Sequence, residues 1–222
     1  MSTERQIRAA IFDMDGLLID SEPLWDRAEH EVLSELGVDF TRRHELPDTR
    51  GLRIDLVVDL WFGQQPWRGP DRAAVVEMMI ARVISLVEQT RPLLPGVPEA
   101  IALCKAQGLK VGLASASPLY MLEKVLAMFG LREQFDALAS AEKLAYSKPH
   151  PLVYLNCASA LGVDPLCCVA LEDSVNGMIA SKAARMRSIV VPAAESQLDP
   201  RFALADVKLP SLEFLTRENL CG

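Results

Sequence analysis

Five short apolar runs alternate along the chain with segments of helical periodicity. Short, continuous apolar runs are typical of strands buried on both faces of a parallel sheet. The runs are Arg8–Phe12, Lys110–Ala114, Phe135–Ala139, Cys167–Leu171 and Ser188–Val191. The helical pattern covers Val97–Gln107, Leu119–Phe129, Pro151–Leu161 and Val175–Met186. This alternation predicts an α/β fold, a doubly wound (Rossmann-like) parallel sheet with right-handed crossovers.

Residues 19–91 interrupt this alternation. No convincing strand pattern occurs there, and loops rich in Pro, Asp and Gly join three helical stretches. These stretches are Leu24–Leu36, Leu52–Phe62 and Arg72–Gln89. We therefore predict an α/β core domain formed by residues 1–18 and 92–222, with residues 19–91 inserted as a small helical cap.

The composition is that of a globular protein and excludes several classes of partner. Of the 222 residues, 50% are hydrophobic and 24% are charged, and the formal net charge is −7. The absence of a basic stripe argues against nucleic acid. No apolar run reaches the roughly 18 residues of a membrane span. Five cysteines without CxxC spacing predict buried free thiols. With an N-terminus that fits no signal peptide, we expect a cytoplasmic protein.

The first predicted strand ends in two carboxylates and a glycine, Asp13, Asp15 and Gly16. Open α/β sheets bind ligands at the carboxyl ends of their strands. One carboxylate could act as a nucleophile that forms an aspartyl-phosphate, while the other exchanges protons with the leaving alcohol and the attacking water. The alternatives are a plain turn or a calcium loop, although an EF-hand would place Leu17 and Leu24 at ligand positions.

Groups suited to phosphate follow the second strand and a later loop. Ser115 offers a hydroxyl and Ala116 a backbone N–H next to a helix start, where phosphate binds well. Lys148 could hold a phosphate as a point charge. The alternatives are that Ser117 caps the helix and that Lys148 is a solvated loop residue. We interpret His150 as a polar residue at a helix start instead of a ligand.

A second acidic pair, Glu172 and Asp173, follows the fourth apolar run. Together with Asp13 this pair predicts an oxygen-rich site that suits Mg²⁺. The alternative is that Asp173 or Ser174 caps the following helix. Capping would explain one acid, but not why two strands both end in acidic pairs.

In chain order these residues resemble the four motifs of the haloacid dehalogenase superfamily, and the resemblance covers nearly the whole chain. The motifs are Asp13-x-Asp15-Gly-x-Leu-x-Asp20-Ser21-Glu22, Ser115, Lys148-Pro149 and Glu172-Asp173-Ser174. The resemblance implies that Asp13 is the nucleophile and Asp15 the general acid/base. An aspartate at position 15 marks the phosphotransferases of this superfamily, because its dehalogenases lack that acid.

The resemblance also implies a cofactor, Mg²⁺, for which Mn²⁺ or Co²⁺ can substitute. The ion would bind the Asp13 carboxylate, the Asp15 backbone carbonyl and Asp173, with Glu172 close by. The transferring phosphoryl group would be held by three further groups: the Ser115 hydroxyl, the Ala116 N–H and the Lys148 ammonium.

Within the superfamily, the chain most resembles the sugar-phosphate branch, and there the phosphatases of hexitol phosphates and 2-deoxyglucose-6-phosphate. The implied substrates are sorbitol-6-phosphate, mannitol-1-phosphate and 2-deoxyglucose-6-phosphate. Two positions depart from the pattern, since Ser147 and Arg185 stand where relatives often have Gly. We expect Arg185 to alter the helix-to-strand turn.

Three other functions are compatible with parts of this pattern. A β-phosphoglucomutase-type mutase would carry a cap histidine where this chain has Trp25, which favours hydrolysis. A phosphoacceptor signalling domain would place its acidic pair on the first strand and would have half the length and no cap. A catalytically inactive binding protein is disfavoured because all four motifs are intact.

The predicted cap would close over the site and select the substrate. Arg50 or Arg53 could contact the distal end of a sugar phosphate, and salt bridges to Asp48 or Asp55 are the equal alternative. The tryptophans are expected to form the cap's core, except Trp25, which we expect to face the site. The expected partner is a small sugar phosphate, with no nucleic acid or membrane, and the expected state is a monomer.

Overall fold

The structure is a computed structural model that describes residues 6–47, 49 and 51–221. Its strands are β1 (Ala9–Phe12), β2 (Lys110–Ser115), β3 (Ala137–Ser140), β4 (Cys168–Glu172), β5 (Arg187–Val190) and β6 (Val207–Lys208). They form one parallel sheet in the order β3-β2-β1-β4-β5-β6. The predicted α/β sheet is therefore confirmed, and β6 is the strand that the pattern did not predict.

The helices follow the predicted order with small shifts at their ends. They are α1 (Glu22–Glu35), α2 (Ile54–Gln64), α3 (Arg72–Thr90), α4 (Val97–Ala106), α5 (Leu119–Met128), α6 (Leu152–Leu161), α7 (Val175–Ala183) and α8 (Arg217–Cys221). Short 3-10 turns connect several of them, including Phe40–Glu45 within the predicted cap. The helix α8 was not predicted.

The sheet lies between two layers of helices, and β1 is buried on both faces. Ala10 and Phe12 pack into the apolar cluster that includes α4 and α5. Ala9 and Ile11 point to the opposite face and pack with α6. Because successive strand residues face opposite sides, a strand covered on both sides must be apolar throughout, which explains the continuous apolar run that predicted it.

Strand β1 occupies the centre of the sheet, between β2 and β4. In this register Phe12 pairs with Leu113 of β2 and with Leu171 of β4. The next residue, Asp13, therefore lies at the carboxyl edge between the ends of both neighbours. The strands β2 and β3 lie on one side of β1, and β4, β5 and β6 lie on the other. The strand order therefore reverses beside β1, and such a switch point opens a crevice for ligands.

The helices α1 and α2 each pack against α3. Trp61 is completely buried among them and stacks on Phe40 with ring centroids 5.3 Å apart, and Trp67 is 9% exposed. Both tryptophans are buried in apolar packing as expected, but their cluster is continuous with that of the sheet layer and does not form a separate core. The boundaries of the cap at residues 19 and 91 remain predictions.

The helix α7 is shorter than its sequence pattern indicated. It ends at Ala183 instead of Met186, and Arg185 has a left-handed backbone with φ of +65°. Left-handed geometry is costly for residues with a side chain. The departure from Gly at position 185 thus falls on a turn that Gly would form with less strain.

The cysteines carry free thiols, and Cys104, Cys157 and Cys168 are buried as predicted, whereas Cys221 is exposed. Burial raises the pKa of these three buried thiols to about 12. Across the described part of the chain, none of the helices combines the length and apolar character that a bilayer span requires.

Candidate active site

Asp13 and Lys148 form a buried ion pair at the carboxyl edge of β1. Asp13 is 6% exposed and Lys148 is 3% exposed. The Lys148 ammonium donates to Asp13 Oδ1 at 2.8 Å, to Glu172 Oε1 at 2.6 Å and to the Ala114 carbonyl at 3.1 Å. The three acceptors lie at the carboxyl ends of the neighbouring strands β1, β4 and β2. The edge of the sheet therefore sets the position of the ammonium group. Lys148 is not the solvated loop lysine of the alternative interpretation.

Glu172 is completely buried and accepts hydrogen bonds at both of its oxygens. Besides Lys148, the Tyr154 hydroxyl donates to Oε1. The Asp173 N–H, the Ser174 N–H and the Ser174 hydroxyl approach Oε2 at 3.2, 3.4 and 3.2 Å. Glu172 therefore holds the Lys148 ammonium in position beside Asp13. Tyr154 was not predicted as part of the site, because its position in an apolar helix stripe gave no sign of a polar role.

A glycine makes this tight arrangement possible. A Cβ at Gly177, in the first turn of α7, would lie 1.9 Å from the Glu172 carboxyl carbon. Ser174 caps the same helix by accepting the Gly177 N–H at 3.0 Å. The helix start and the buried carboxylate consequently share one small volume, and the capping interpretation of Ser174 is confirmed.

Three carboxylates converge closely enough to share one metal ion. Oxygen atoms of Asp13, Glu172 and Asp173 all lie within 4.8 Å of one another. Burial raises the pKa of Asp13 to about 8, opposed by Lys148 and reinforced by the charges of Glu172 and Asp15. Burial and the Glu172 charge likewise hold the pKa of Asp173 well above its usual range. A bound cation would reduce the repulsion between these carboxylates.

The donor set and the space around it fit a hard cation. The donors are all carboxylate oxygens, which Mg²⁺ prefers. Gly16 has φ of +77°, and a Cβ there would approach Asp173 Oδ2 to 2.1 Å. A residue with a side chain at position 16 would thus displace Asp173 from the group. The glycine in the turn after β1 therefore allows the acidic ends of β1 and β4 to lie close together.

The Asp15 carboxylate is held by hydroxyl and indole donors, whereas Asp13 is held by an ammonium group. Ser21 Oγ donates to Asp15 Oδ1 at 2.8 Å, and the Trp25 indole N–H donates to the same oxygen at 3.0 Å. Ser117 Oγ donates to Oδ2 at 2.7 Å. Ser115 Oγ is 3.5 Å from Oδ2. Asp13 and Asp15 therefore occupy different environments, as two carboxylates with different tasks require.

The capping interpretation of Ser117 is wrong. The helix α5 begins at Leu119 after Pro118, with no side-chain hydrogen bond at its cap. The Ser117 hydroxyl is instead directed to Asp15, and its N–H donates to Ser115 Oγ at 3.0 Å. Ser115 and Ala116 thus form a turn whose polar groups border the same cavity as Asp13.

A cavity of about 390 Å³ connects this edge of the sheet with the cap. The sheet side contributes residues that the motifs identified: Asp13, Asp15, Ser115, Ala116 and Lys148. The cap side contributes residues that include Trp25, Glu29, Arg43 and Thr49. Trp25 faces the site as expected. Glu29 and Arg43 were not predicted, because a helix pattern alone does not show which polar residue turns inward.

Two cap arginines were predicted as possible contacts to the distal end of a sugar phosphate. Arg50 lies outside the described residues. Arg53 pairs with Asp55 at 2.6 Å and donates to the carbonyls of Ala141 and Leu144 at 2.8 and 2.7 Å. For Arg53 the salt-bridge alternative is therefore confirmed, and its guanidinium additionally ties the start of α2 to the loop after β3.

Two loop residues complete the predicted set. His150 is exposed, and its Nδ1 lies 3.3 Å from the Leu152 N–H, as expected for a residue at a helix start. Ser147 is 8% exposed, and its hydroxyl has no hydrogen-bond partner in the described portion of the chain. A glycine at position 147 would avoid burying this unpaired hydroxyl.

Comparison with known proteins is consistent with this arrangement. The family model for haloacid dehalogenase-like hydrolases matches residues 7–185. Hexitol phosphatase B of Escherichia coli (strain K12) is 78% identical over 222 residues, which is the whole of both chains. Both the sequence and the order of its elements therefore place the chain beside proteins of one enzyme family.

Two solved structures share the complete fold. The crystal structure of CbbY from Rhodobacter sphaeroides in complex with phosphate is 31% identical, with a TM-score of 0.79 over 97% of this chain and 99% of that one. The β-phosphoglucomutase of Clostridium difficile is 27% identical, with a TM-score of 0.81 over 96% and 95% of the two chains.

Proposed function

This chain belongs to the family of haloacid dehalogenase-like hydrolases, and we propose that it hydrolyses phosphate monoesters of sugar alcohols and related sugars through an aspartyl-phosphate on Asp13. A phosphatase that is 78% identical over the full length makes the chain a phosphoric monoester hydrolase. The observation that carries the mechanism is the buried Asp13–Lys148 pair at the floor of the cavity.

Asp13 suits the role of nucleophile better than Asp15. Lys148 fixes Asp13 Oδ1 at 2.8 Å, which leaves Oδ2 for attack on phosphorus. Lys148 also balances negative charge when a phosphate enters, and the Ser115 hydroxyl and Ala116 N–H border the same space. Phosphoryl transfer depends chiefly on such positioning and charge stabilisation.

In the first step, Asp13 attacks the phosphorus atom and the bond from phosphorus to the ester oxygen breaks. The leaving oxygen takes a proton from the Asp15 carboxyl group, so that a neutral alcohol departs. In the second step, Asp15 accepts a proton from water, and the resulting oxygen attacks phosphorus. The bond between phosphorus and Asp13 breaks, inorganic phosphate leaves, and both aspartates return to their starting forms.

The metal site is part of the proposal. Asp13, Asp173 and the Asp15 backbone carbonyl would hold Mg²⁺, while Glu172 would chiefly orient Lys148, because its oxygens already accept several hydrogen bonds. When bound, Mg²⁺ supplies positive charge that offsets repulsion between the phosphate and the carboxylates. Mn²⁺ and Co²⁺, with similar preferences for oxygen ligands, are the expected substitutes.

The proposed substrates are sorbitol-6-phosphate, mannitol-1-phosphate and 2-deoxyglucose-6-phosphate. The identity to a hexitol phosphatase over the whole chain supports hexitol phosphates. The cavity volume of about 390 Å³ suits a small molecule. Its cap-side lining is mixed, and the polar groups of Glu29, Arg43 and Thr49 suit hydroxyl groups, which a sugar alcohol presents along its whole length.

Transfer to water is favoured over transfer back to sugar. The alternative is a mutase, and a mutase is among the structural relatives. This chain, however, has Trp25 at the cap position facing Asp15, and the indole N–H binds the carboxylate directly. An indole cannot exchange protons as an imidazole can, so Asp15 would act on the alcohol and on water without help from this position.

The test measures inorganic phosphate and all sugar phosphates formed from each proposed substrate in the presence of Mg²⁺. The wild-type protein should release one phosphate per substrate consumed. Asp13→Asn should lower kcat by at least about 10³-fold while the protein stays folded, whereas Asp59→Asn, an exposed aspartate of the cap, should change it less than twofold. An active Asp13→Asn protein would remove the nucleophile assignment, and an isomeric sugar phosphate as the main product would establish a mutase.

A further inference from the structure

The cap side of the cavity contains a buried carboxylate, that of Glu29. Glu29 is on α1 and is 4% exposed, yet it lines the cavity that also contains Asp13 and Lys148. Burial of a carboxylate is costly unless its hydrogen-bonding capacity is used. Both carboxylate oxygens of Glu29 are therefore expected to have hydrogen-bond partners when the cavity is filled.

Only one of the two Glu29 oxygens is used among the described residues. The Trp61 indole N–H donates to Oε2 at 3.0 Å, and Arg43 Nε lies 3.6 Å from the same atom. No hydrogen bond from the described part of the chain reaches Oε1. A carboxylate oxygen with free lone pairs at a cavity wall is a strong acceptor for a hydroxyl group.

Arg43 and Thr49 lie beside Glu29 and supply the complementary donors. Arg43 Nη2 donates to the Thr49 hydroxyl oxygen, and both residues line the same cavity. The Arg43 side chain is 28% exposed, so part of its guanidinium remains accessible. A hydroxyl group both donates and accepts, and adjacent acceptor and donor groups therefore match a pair of neighbouring hydroxyls.

The charges on this wall disfavour an anionic ligand. Asp26 and Glu29 of α1 both border the cavity, and Arg43 is a cation beside Glu29 on the same side. A second phosphate placed there would meet these carboxylates, whereas an uncharged chain of hydroxyls would not. The wall is thus suited to the far end of a monophosphate whose remainder is neutral.

We infer that Glu29, together with Arg43, is the specificity-determining group that binds the hydroxyls at the end of the substrate remote from the phosphate and rejects sugar bisphosphates. This inference rests on the proposed function, since it concerns the same cavity. It assigns the selection of a neutral polyol to two cap residues outside the four motifs.

The experiment compares two phosphate esters and one bisphosphate. In Glu29→Gln, which keeps the shape and an oxygen for Trp61, kcat/KM for sorbitol-6-phosphate should fall at least about tenfold. For p-nitrophenyl phosphate, which lacks these hydroxyls, kcat/KM should change less than twofold. Fructose-1,6-bisphosphate should become a better competitor, with a Ki several-fold lower. Glu35→Gln, on the same helix with its side chain 58% exposed, is the matched control.

The outcomes separate this inference from the proposed function. If the wild-type protein hydrolyses both esters, the role of Glu29 would be overturned by equal losses for both in Glu29→Gln, or by no loss for sorbitol-6-phosphate. A wild-type protein that hydrolyses p-nitrophenyl phosphate but no hexitol phosphate would instead overturn the proposed substrates, and the inference with them. Arg43→Gln is a second variant for the case that Glu29→Gln is poorly folded. We expect it to show the same selective loss.

Discussion

The indole N–H of Trp25 donates a 3.0 Å hydrogen bond to Asp15 Oδ1, and this bond joins the first cap helix to the turn after β1. Ser21 shares the same oxygen and Ser117 holds the other. The carboxylate proposed as general acid/base is therefore oriented partly by the cap. Movement of α1 away from this turn would release the Trp25 donor from Asp15.

The Trp25–Asp15 bond should affect catalysis more than stability. Trp25→Phe removes the donor but keeps most of the ring packing, and we expect kcat to fall about threefold to tenfold because Asp15 is less well oriented. Trp25→His restores an N–H and should recover part of the loss. Steady-state kinetics together with thermal unfolding would check this. Unchanged kcat in Trp25→Phe, or equal defects in both variants, would contradict the orienting role.

Binding of Mg²⁺ should stabilise the folded protein as well as activate it. A ligand that binds only the native state adds about 2.7 kcal/mol at 100 times its Kd, so Tm should rise with added MgCl₂ at constant ionic strength. Asp173→Asn should reduce this shift because one carboxylate of the group is lost. EDTA should abolish hydrolysis. Persisting turnover in EDTA, or an Mg²⁺ shift unaffected by Asp173→Asn, would argue against this site.

The Tyr154 hydroxyl should matter for stability through Glu172. Burial and the Glu172 charge raise the pKa of Tyr154 well above its usual value, so the hydroxyl remains a donor to Glu172. Tyr154→Phe should cost about 1–3 kcal/mol of unfolding free energy, because a buried acceptor loses a partner. Urea denaturation measures this difference.

The matched control for Tyr154 is Tyr120, whose hydroxyl donates to Glu77 at 3.0 Å on the surface. Tyr120 is 43% exposed, so Tyr120→Phe should change the unfolding free energy by less than about 0.5 kcal/mol. Equal effects of the two substitutions would show that the buried contact to Glu172 contributes nothing beyond an exposed one.

Glu29 should make stability depend on pH. Burial raises the pKa of Glu29, opposed by the Trp61 hydrogen bond and Arg43 and reinforced by Asp26. Because the native state then binds a proton more tightly than the unfolded state, the ordinary value being 4.5, wild-type stability falls as pH rises from that value through the raised one.

Glu29→Gln cannot titrate, so its unfolding free energy relative to wild type should increase as pH rises through this window and level off above it. Urea denaturation of both proteins between weakly acidic and neutral pH tests the sign. A difference that stays constant, or that shrinks with rising pH, would contradict the raised pKa.

Arg185 should be a site of avoidable backbone strain. Its φ of +65° is left-handed, and its side chain is exposed. Arg185→Gly should raise the unfolding free energy by about 0.5–1 kcal/mol, since relief of strain exceeds the entropy that Gly loses. Arg185→Ala should be close to neutral because it keeps the strain. A gain from Ala equal to that from Gly would locate the effect in the side chain instead.

Local sequence patterns were sufficient to predict the sheet, its alternation with helices and most of the residues at its carboxyl edge. Strands buried on both faces must be apolar throughout, so β1 and β4 are visible as local runs, and the polar residues that end them must lie at one edge of a parallel sheet. Asp13, Ser115 and Asp173 follow from these rules, whereas Lys148 stands in a loop and was identified from its motif. The strand β6 escaped them because Val207–Lys208 is too short to show a pattern.

The contacts between residues far apart in the chain could not be predicted from local patterns. Ser117 could cap a helix by its local sequence, and it binds Asp15, 102 residues away, instead. Tyr154 and Glu29 stand in helical stripes that do not distinguish packing from hydrogen bonding, and their roles depend on Glu172 and on the cavity between cap and sheet. Local periodicity reports burial, whereas the partner of a buried polar group is set by the packing of distant elements.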